Sequence, residues 1–97
     1  MSDAKVFLNG HIDVPADRLT DVTAALPQHI ALTRAEAGCL SFEVNPCPNK
    51  AGRFLVAEVF ANQAAFDVHQ ARTKASNWFQ VTAGIARDYT VRVGGQR

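Results

Sequence analysis

The sequence predicts a single α+β domain of order βαββαβ, a ferredoxin-like fold with one four-stranded antiparallel sheet and two helices on one face. Three observations predict it. The stretch from Gly38 to His69 reads as strand, tight connection, strand and the opening of a helix. Two outer segments, Lys5–Asp13 and Tyr89–Val93, have the alternating pattern of strands. Between the first strand and the hairpin, apolar residues recur at the spacing of a helix. The domain is expected to occupy residues 1–97, with the tail from about Gly94 frayed.

In the first strand Val6, Leu8 and Ile12 fall on one side, and Phe7, Asn9 and His11 on the other. Pro15 suits the first turn of a helix, where its missing N–H leaves nothing unpaired. From Ala16 to Glu36, Leu19, Val22, Leu26 and Ile30 form an apolar stripe. Pro27 interrupts it, so a kink or restart is expected there. Gly38 suits the position just past this helix. In the hairpin, Leu40, Phe42 and Val44 oppose Cys39, Ser41 and Glu43, and Leu55, Ala57 and Val59 oppose Phe54, Val56, Glu58 and Phe60. Pro46, Pro48 and the Asn49–Gly52 cluster make the turn. Asn62 is placed to cap the second helix. That helix is expected to break near Thr73–Ser76 and resume over Asn77–Arg87, with Trp78, Val81 and Ile85 buried.

Composition removes several function classes. The 97 residues carry a formal charge of +1, with basic residues dispersed and not interleaved with aromatics, so no nucleic-acid partner is expected. No apolar run approaches the ~20 residues of a membrane span. The opening MSDAKVFLNG lacks the layout of a signal peptide, so a cytoplasmic protein is expected. Cys39 and Cys47 lie on or beside one strand, about eight residues apart, too far for a local disulfide at ~3.3 Å per residue. Both read as reduced thiols of a cytoplasmic protein that serve as small buried hydrophobes. His11, His29, His69 and the cysteines lack metal-ligand spacing, so no metal is expected. There is no phosphate loop and no nucleophile elbow.

The faces of the sheet carry the functional argument. Val6, Leu8, Ile12, Leu55, Ala57 and Val59 are expected under the helices. Phe7, Asn9, His11, Phe54, Val56, Glu58 and Phe60 then share the open face. So much apolar surface needs a cover, and a second copy of the chain packed sheet to sheet supplies one. Glu58 is the oddity, a carboxylate among Phe54, Val56 and Phe60.

The run A57-E58-V59-F60-A61-N62-Q63-A64-A65-F66-D67-V68-H69 resembles the antibiotic biosynthesis monooxygenase superfamily, and E36-A37-G38-C39-L40-S41-F42 resembles the run that enters its second strand. The resemblance covers essentially the whole chain. It implies a dimeric α+β barrel whose members include quinol and aromatic-polyketide monooxygenases that use neither flavin nor metal. It therefore implies no cofactor here, and dioxygen and a small aromatic as partners. A phenol or quinol that loses a proton becomes an electron-rich anion able to reduce dioxygen. The protein must then bind a ring, exclude water and favour the anion.

On this reading His69, Glu58 and Asn9 manage the proton. Phe7, His11, Phe54, Val56, Phe60, Phe66, Trp78 and Phe79 hold the ring or line its entrance. Each has a structural alternative. His69 could tie helix to sheet, Glu58 could pair with Arg53, Arg87 or Arg92, and Trp78 and Phe79 could be core or dimer contacts. Two departures narrow the family reading. Phe60 stands where polyketide-oxygenating relatives have tryptophan, and Val56 where they have asparagine. Phe79 or its neighbours occupy the place of the haem-ligating histidine, so haem degradation is not expected. The leading expectation is cofactor-independent monooxygenation of a quinol or polyhydroxylated aromatic. An isomerase of a small sugar-like or ketonic signal is the alternative, favoured by any basic residue in the pocket. A non-catalytic small-molecule-binding dimer is the third reading.

Overall fold

A computed structural model describes residues 4–94. Its elements run β1 (Val6–Asp13), a 3-10 turn (Ala16–Arg18), α1 (Leu19–Arg34), β2 (Cys39–Pro46), β3 (Arg53–Phe60), α2 (Gln63–Lys74), α3 (Asn77–Val81) and β4 (Ala86–Val93). The four strands form one antiparallel sheet in the order β2-β3-β1-β4. This is the ferredoxin-like βαββαβ arrangement, with the second helix broken into α2 and α3 at the expected place. Ser76 caps α3 by accepting from the Phe79 N–H at 3.3 Å. The strand after it begins at Ala86, so the helical stripe expected to reach Ile85 and Arg87 stops at Val81. Gly94 donates its N–H to the Lys5 carbonyl at 2.9 Å, which ties the end of β4 to the sheet. The remainder of the expected frayed tail lies outside the described residues.

The sheet register overturns one expectation about faces. Leu8 stands opposite Glu58, Val6 opposite Phe60 and Ile12 opposite Phe54. Residues directly opposite point to the same side of a sheet. The helix-covered side therefore carries Phe54, Val56, Glu58 and Phe60 with Val6, Leu8 and Ile12, and all seven are buried. Leu55, Ala57 and Val59 lie with Phe7, Asn9 and His11 on the open side, and Leu55 is 44% exposed. Strand β3 is apolar on both sides, so its own pattern does not state which side faces in. A bulge between Cys39 and Ser41 shifts β2 by one residue. Phe42 and Val44 point inward, whereas Leu40 is 53% exposed instead of sharing their face.

Helix α1 runs as one segment through Pro27. Pro27 and Thr23 are on its exposed side, where the carbonyl freed by the missing N–H meets water. Its buried stripe is Val22, Leu26, His29 and Thr33, at spacings of four, three and four. The helix ends at Arg34, before Gly38. Gly38 has a different use: a Cβ there would sit 2.2 Å from the Ala65 Cβ, so glycine lets the start of α2 rest on the entry to β2.

The core is Val6, Leu8, Ile12, Val22, Leu26, Phe42, Val44, Phe54, Val56, Phe60, Phe66 and Ile85 with Val14. Burying each large member contributes roughly 1.5–3 kcal/mol. Polar staples fix the frame around it. Arg53 makes a two-pronged pair with Asp13 at 2.7 and 3.0 Å across β1 and β3, and this holds the Asp13 carboxyl below its usual range. Arg18 donates to the Val81 and Ala83 carbonyls at 2.6 and 3.2 Å. Both cysteines are free thiols, and burial pushes the Cys39 thiol up from its usual value. No helix among the described residues is long and apolar enough to cross a membrane.

Candidate active site

The phase of α2 is set by its first turn. Asn62 accepts from the Ala65 N–H at 2.8 Å. Counting from that cap, Phe66 and His69 fall three residues apart on the inward face, and both are buried. Phe60 packs edge-on to Phe66 with ring centroids 5.6 Å apart and lies 4.7 Å from the His69 ring. Phe60 backs the imidazole, and Phe66 backs Phe60. Neither phenylalanine lines the cavity in front of the imidazole.

The close approach at Gly38 also brings Glu36, two residues earlier, to the imidazole. Nδ1 of His69 lies 3.1 and 3.2 Å from the two Glu36 oxygens. Arg72, three residues along α2, donates from Nε to the same carboxylate and from Nη2 to Thr33 Oγ1 at 2.9 Å. The carboxylate accepts, so Nδ1 carries the proton and Nε2 is the unprotonated, accepting nitrogen. Nε2 faces Thr73 Oγ1 at 3.4 Å and Glu58 Oε1 at 3.7 Å. An imidazole fixed in this tautomer by a carboxylate is the geometry of a general base.

Glu58 occupies the floor beside it, 7% exposed, and its Oε1 has no hydrogen-bond partner. The 3.7 Å to His69 is too long for a hydrogen bond. None of the three arginines considered from sequence reaches it. Arg53 pairs with Asp13, Arg87 donates to the Thr82 and Ile85 carbonyls, and Arg92 lies over the Phe7 ring at 4.4 Å. Burial, helped by the nearby Glu36 charge, raises the Glu58 carboxyl to about 7. Burial lowers His69 as well, and Glu36 pulls in the opposite direction. Near neutrality the floor thus holds a neutral imidazole beside a carboxyl poised between its two forms.

A cavity of about 230 Å³ opens in front of these groups. Leu8, Ile12, Phe42, Val44 and Val56 form its apolar wall, Trp78 and Phe79 its outer side, and Lys74, Arg87 and Tyr89 also line it. An apolar cavity of ~150 Å³ is already large enough to hold benzene. His29, from α1, completes the lining. It stacks on Trp78 with centroids 4.7 Å apart and planes 4° apart, and its buried Nδ1 has no partner. Burial drives His29 down to about 3, so its ring is neutral. Burial likewise pushes the Tyr89 phenol up to about 12.

Of the residues singled out from sequence, the cavity gathers His69, Glu58, Val56, Trp78 and Phe79. Asn9, Phe7 and His11 are on the other side of the sheet, away from His69, by the register that puts Leu8 against Glu58. Phe54 faces inward but borders a separate outer groove with Pro27, Ile30 and Pro46. Glu36, Arg72, Thr33 and His29 were not assigned roles from sequence. His29 and Thr33 continue the helical spacing of Val22 and Leu26, a signal lost when only apolar residues are counted. Among the described residues, no three His, Cys, Asp or Glu side chains are gathered as metal ligands would be.

Comparison with known proteins bears on the fold and the family. Residues 6–81 match the family model described as antibiotic biosynthesis monooxygenase. A Deinococcus radiodurans protein assigned to that family superposes with a TM-score of 0.81 at 22% identity, covering 95% of this chain and 94% of its own. MupZ from Pseudomonas fluorescens gives 0.74 at 17% identity over 94% of this chain and 68% of its own. Rv0793 from Mycobacterium tuberculosis gives 0.70 at 22% identity over 96% and 95%. At these identities the structures establish the fold. No curated protein matches the chain.

Proposed function

The chain belongs to the antibiotic biosynthesis monooxygenase family, and we propose that it oxygenates a quinol or polyhydroxylated aromatic with dioxygen and no bound cofactor. One observation carries this reading: the Glu36-held imidazole, its accepting Nε2 bonded only by the Thr73 hydroxyl, lines a ring-sized cavity with an apolar wall. Nε2 takes the proton of a ring hydroxyl, and the resulting anion is delocalised onto a ring carbon. That carbon, which bears two hydrogens in the ketonic tautomer, gives one electron to dioxygen and then combines with the superoxide formed. The peroxide loses water, so one oxygen atom stays as a carbonyl and the other leaves with the two hydrogens. Glu58 in its protonated form supplies the proton for the departing oxygen and recovers one from His69. The apolar wall withholds bulk water, which strengthens each of these contacts.

One observation favours the isomerase alternative, namely that Lys74 and Arg87 line the same cavity. Both readings use His69 as the base, but only the first consumes oxygen. The test is oxygen uptake with a panel of reduced quinols and anthrones, comparing wild type with His69→Ala. Uptake well above the mutant's background supports oxygenation with His69 as base. Equal rates, with the aromatic still bound by both proteins, overturn it.

The homodimer also belongs to this reading. The open sheet side presents Phe7, Leu55, Ala57 and Val59 in a row, and covering such a row with a second copy removes it from water.

A further inference from the structure

We infer that the cavity is built for a hydroxylated aromatic acid, with the ring hydroxyl at His69 and the acid group at the opposite end against Lys74 and Arg87. The inference rests on the oxygenase reading for the ring hydroxyl, and on charge placement for the acid.

The protein as a whole is close to neutral, at a formal +1. Its cavity is not. The ionisable side chains that line it are Glu58, His29, His69, Lys74, Arg87 and Tyr89. With both imidazoles and the phenol uncharged, two cations face one carboxyl. That carboxyl lies beside His69, and among the described residues it makes no ion pair with either cation. Every other arginine of the site region is already matched: Arg72 to Glu36, Arg53 to Asp13, Arg34 to Glu43. Among the described residues, neither Lys74 nor Arg87 has a carboxylate partner. Arg87 spends donors on the Thr82 and Ile85 carbonyls, which fixes its side chain and leaves further N–H groups free. A positioned guanidinium with spare donors is suited to a carboxylate.

The two ends are set apart along their elements. Lys74 stands five residues beyond His69 on α2, a rise of ~7.5 Å. Arg87 pairs with Ile12 whereas Glu58 pairs with Leu8, so the two are separated by four residues along β1, ~13 Å. The long Lys74 and Arg87 side chains take up part of that distance. What remains suits a single ring carrying hydroxyl and acid at opposite positions, between walls of Phe42, Val56 and Trp78.

The experiment measures binding by calorimetry for 4-hydroxybenzoate, 2-hydroxybenzoate and phenol, in wild type, Lys74→Gln and Arg87→Gln. Wild type should bind 4-hydroxybenzoate at least about tenfold more tightly than phenol, which one charge-assisted contact supplies. Each substitution should reduce that preference several-fold and leave phenol unchanged. Added salt should weaken only the acid. Arg87 supports the turn before β4, so Lys74→Gln, which removes no internal bond, carries the test if the other variant folds poorly. Equal wild-type affinities for 4-hydroxybenzoate and phenol would overturn the inference, as would a preference that survives both substitutions. Equal binding of 2-hydroxybenzoate would overturn the opposed arrangement. These ligands are scored by binding, so a failure of oxygen uptake removes the oxygenase reading without moving this result. An absent acid preference with oxygen uptake intact removes this inference alone.

Discussion

Replacing Glu58 with glutamine should stabilise the protein at alkaline pH, and the gain should vanish in acid. Its carboxyl titrates near 7 in the fold against 4.5 when exposed, chiefly because it is 7% exposed and unpartnered. A raised folded pKa means that the native state holds the proton more tightly than the unfolded chain between those two values. Stability therefore falls as pH rises through that window, and the deficit is complete above pH 7. At 1.36 kcal/mol for each pKa unit the full deficit is roughly 3 kcal/mol. Glutamine keeps the shape and removes the ionisation.

The assay is urea unfolding of wild type and Glu58→Gln at half-unit steps from pH 4 to pH 8.5. Other groups shape both curves. His29, pushed down to about 3, takes up a proton only on unfolding, so its contribution is full above pH 6.5 and is lost as pH falls toward 3. Subtracting the two curves cancels that background. The difference should be near zero at pH 4 and reach roughly 3 kcal/mol in favour of the variant by pH 8. Parallel curves would refute the reasoning, since they would mean that Glu58 ionises as freely inside as outside. A variant less stable at pH 8 would refute it more sharply, because it would mean that the ionised Glu58 is held by a protonated His69.

Two further outcomes are expected. Glu36→Gln should cut turnover of the oxygenase substrate by about ten- to a hundredfold, as loss of an orienting partner does, while moving the acid limb of the pH–rate profile to lower pH. Glu36 pulls His69 upward, so its removal lets the imidazole stay neutral in more acid solution; an unmoved limb would separate His69 from the rate. Leu55→Arg, on the open sheet face, should convert a dimer in sedimentation equilibrium to monomer without loss of helical circular dichroism; a wild type that sediments as a monomer would remove the paired-sheet reading.

The parts of this molecule legible in its sequence are those in which a local rule and the fold agree. Asn62 and Ser76 cap the helices that their positions suggest, and strands β1 and β3 lie where alternation puts them. The site was read less well, for a reason that lies in β3 itself. Phe54, Val56 and Phe60 and Leu55, Ala57 and Val59 make both sides of that strand apolar, so Glu58 supplies the only contrast. Taken as polarity, it assigns its side to the open face and brings Asn9 and His11 along with it. The register does the reverse, because this carboxyl is buried against the usual preference. His29 and Thr33 mislead in the same way on α1, polar side chains at core spacing. The useful signal was therefore a conflict. An acid that spoils the amphipathic pattern of one strand, and a histidine that extends the stripe of one helix, mark the two walls of one cavity. Glu36 could not be found by either rule, since it is on a turn and meets His69 only because Gly38 allows α2 to rest against β2. Enlarging that glycine would push α2 outward and separate the Glu36 carboxylate from the His69 imidazole.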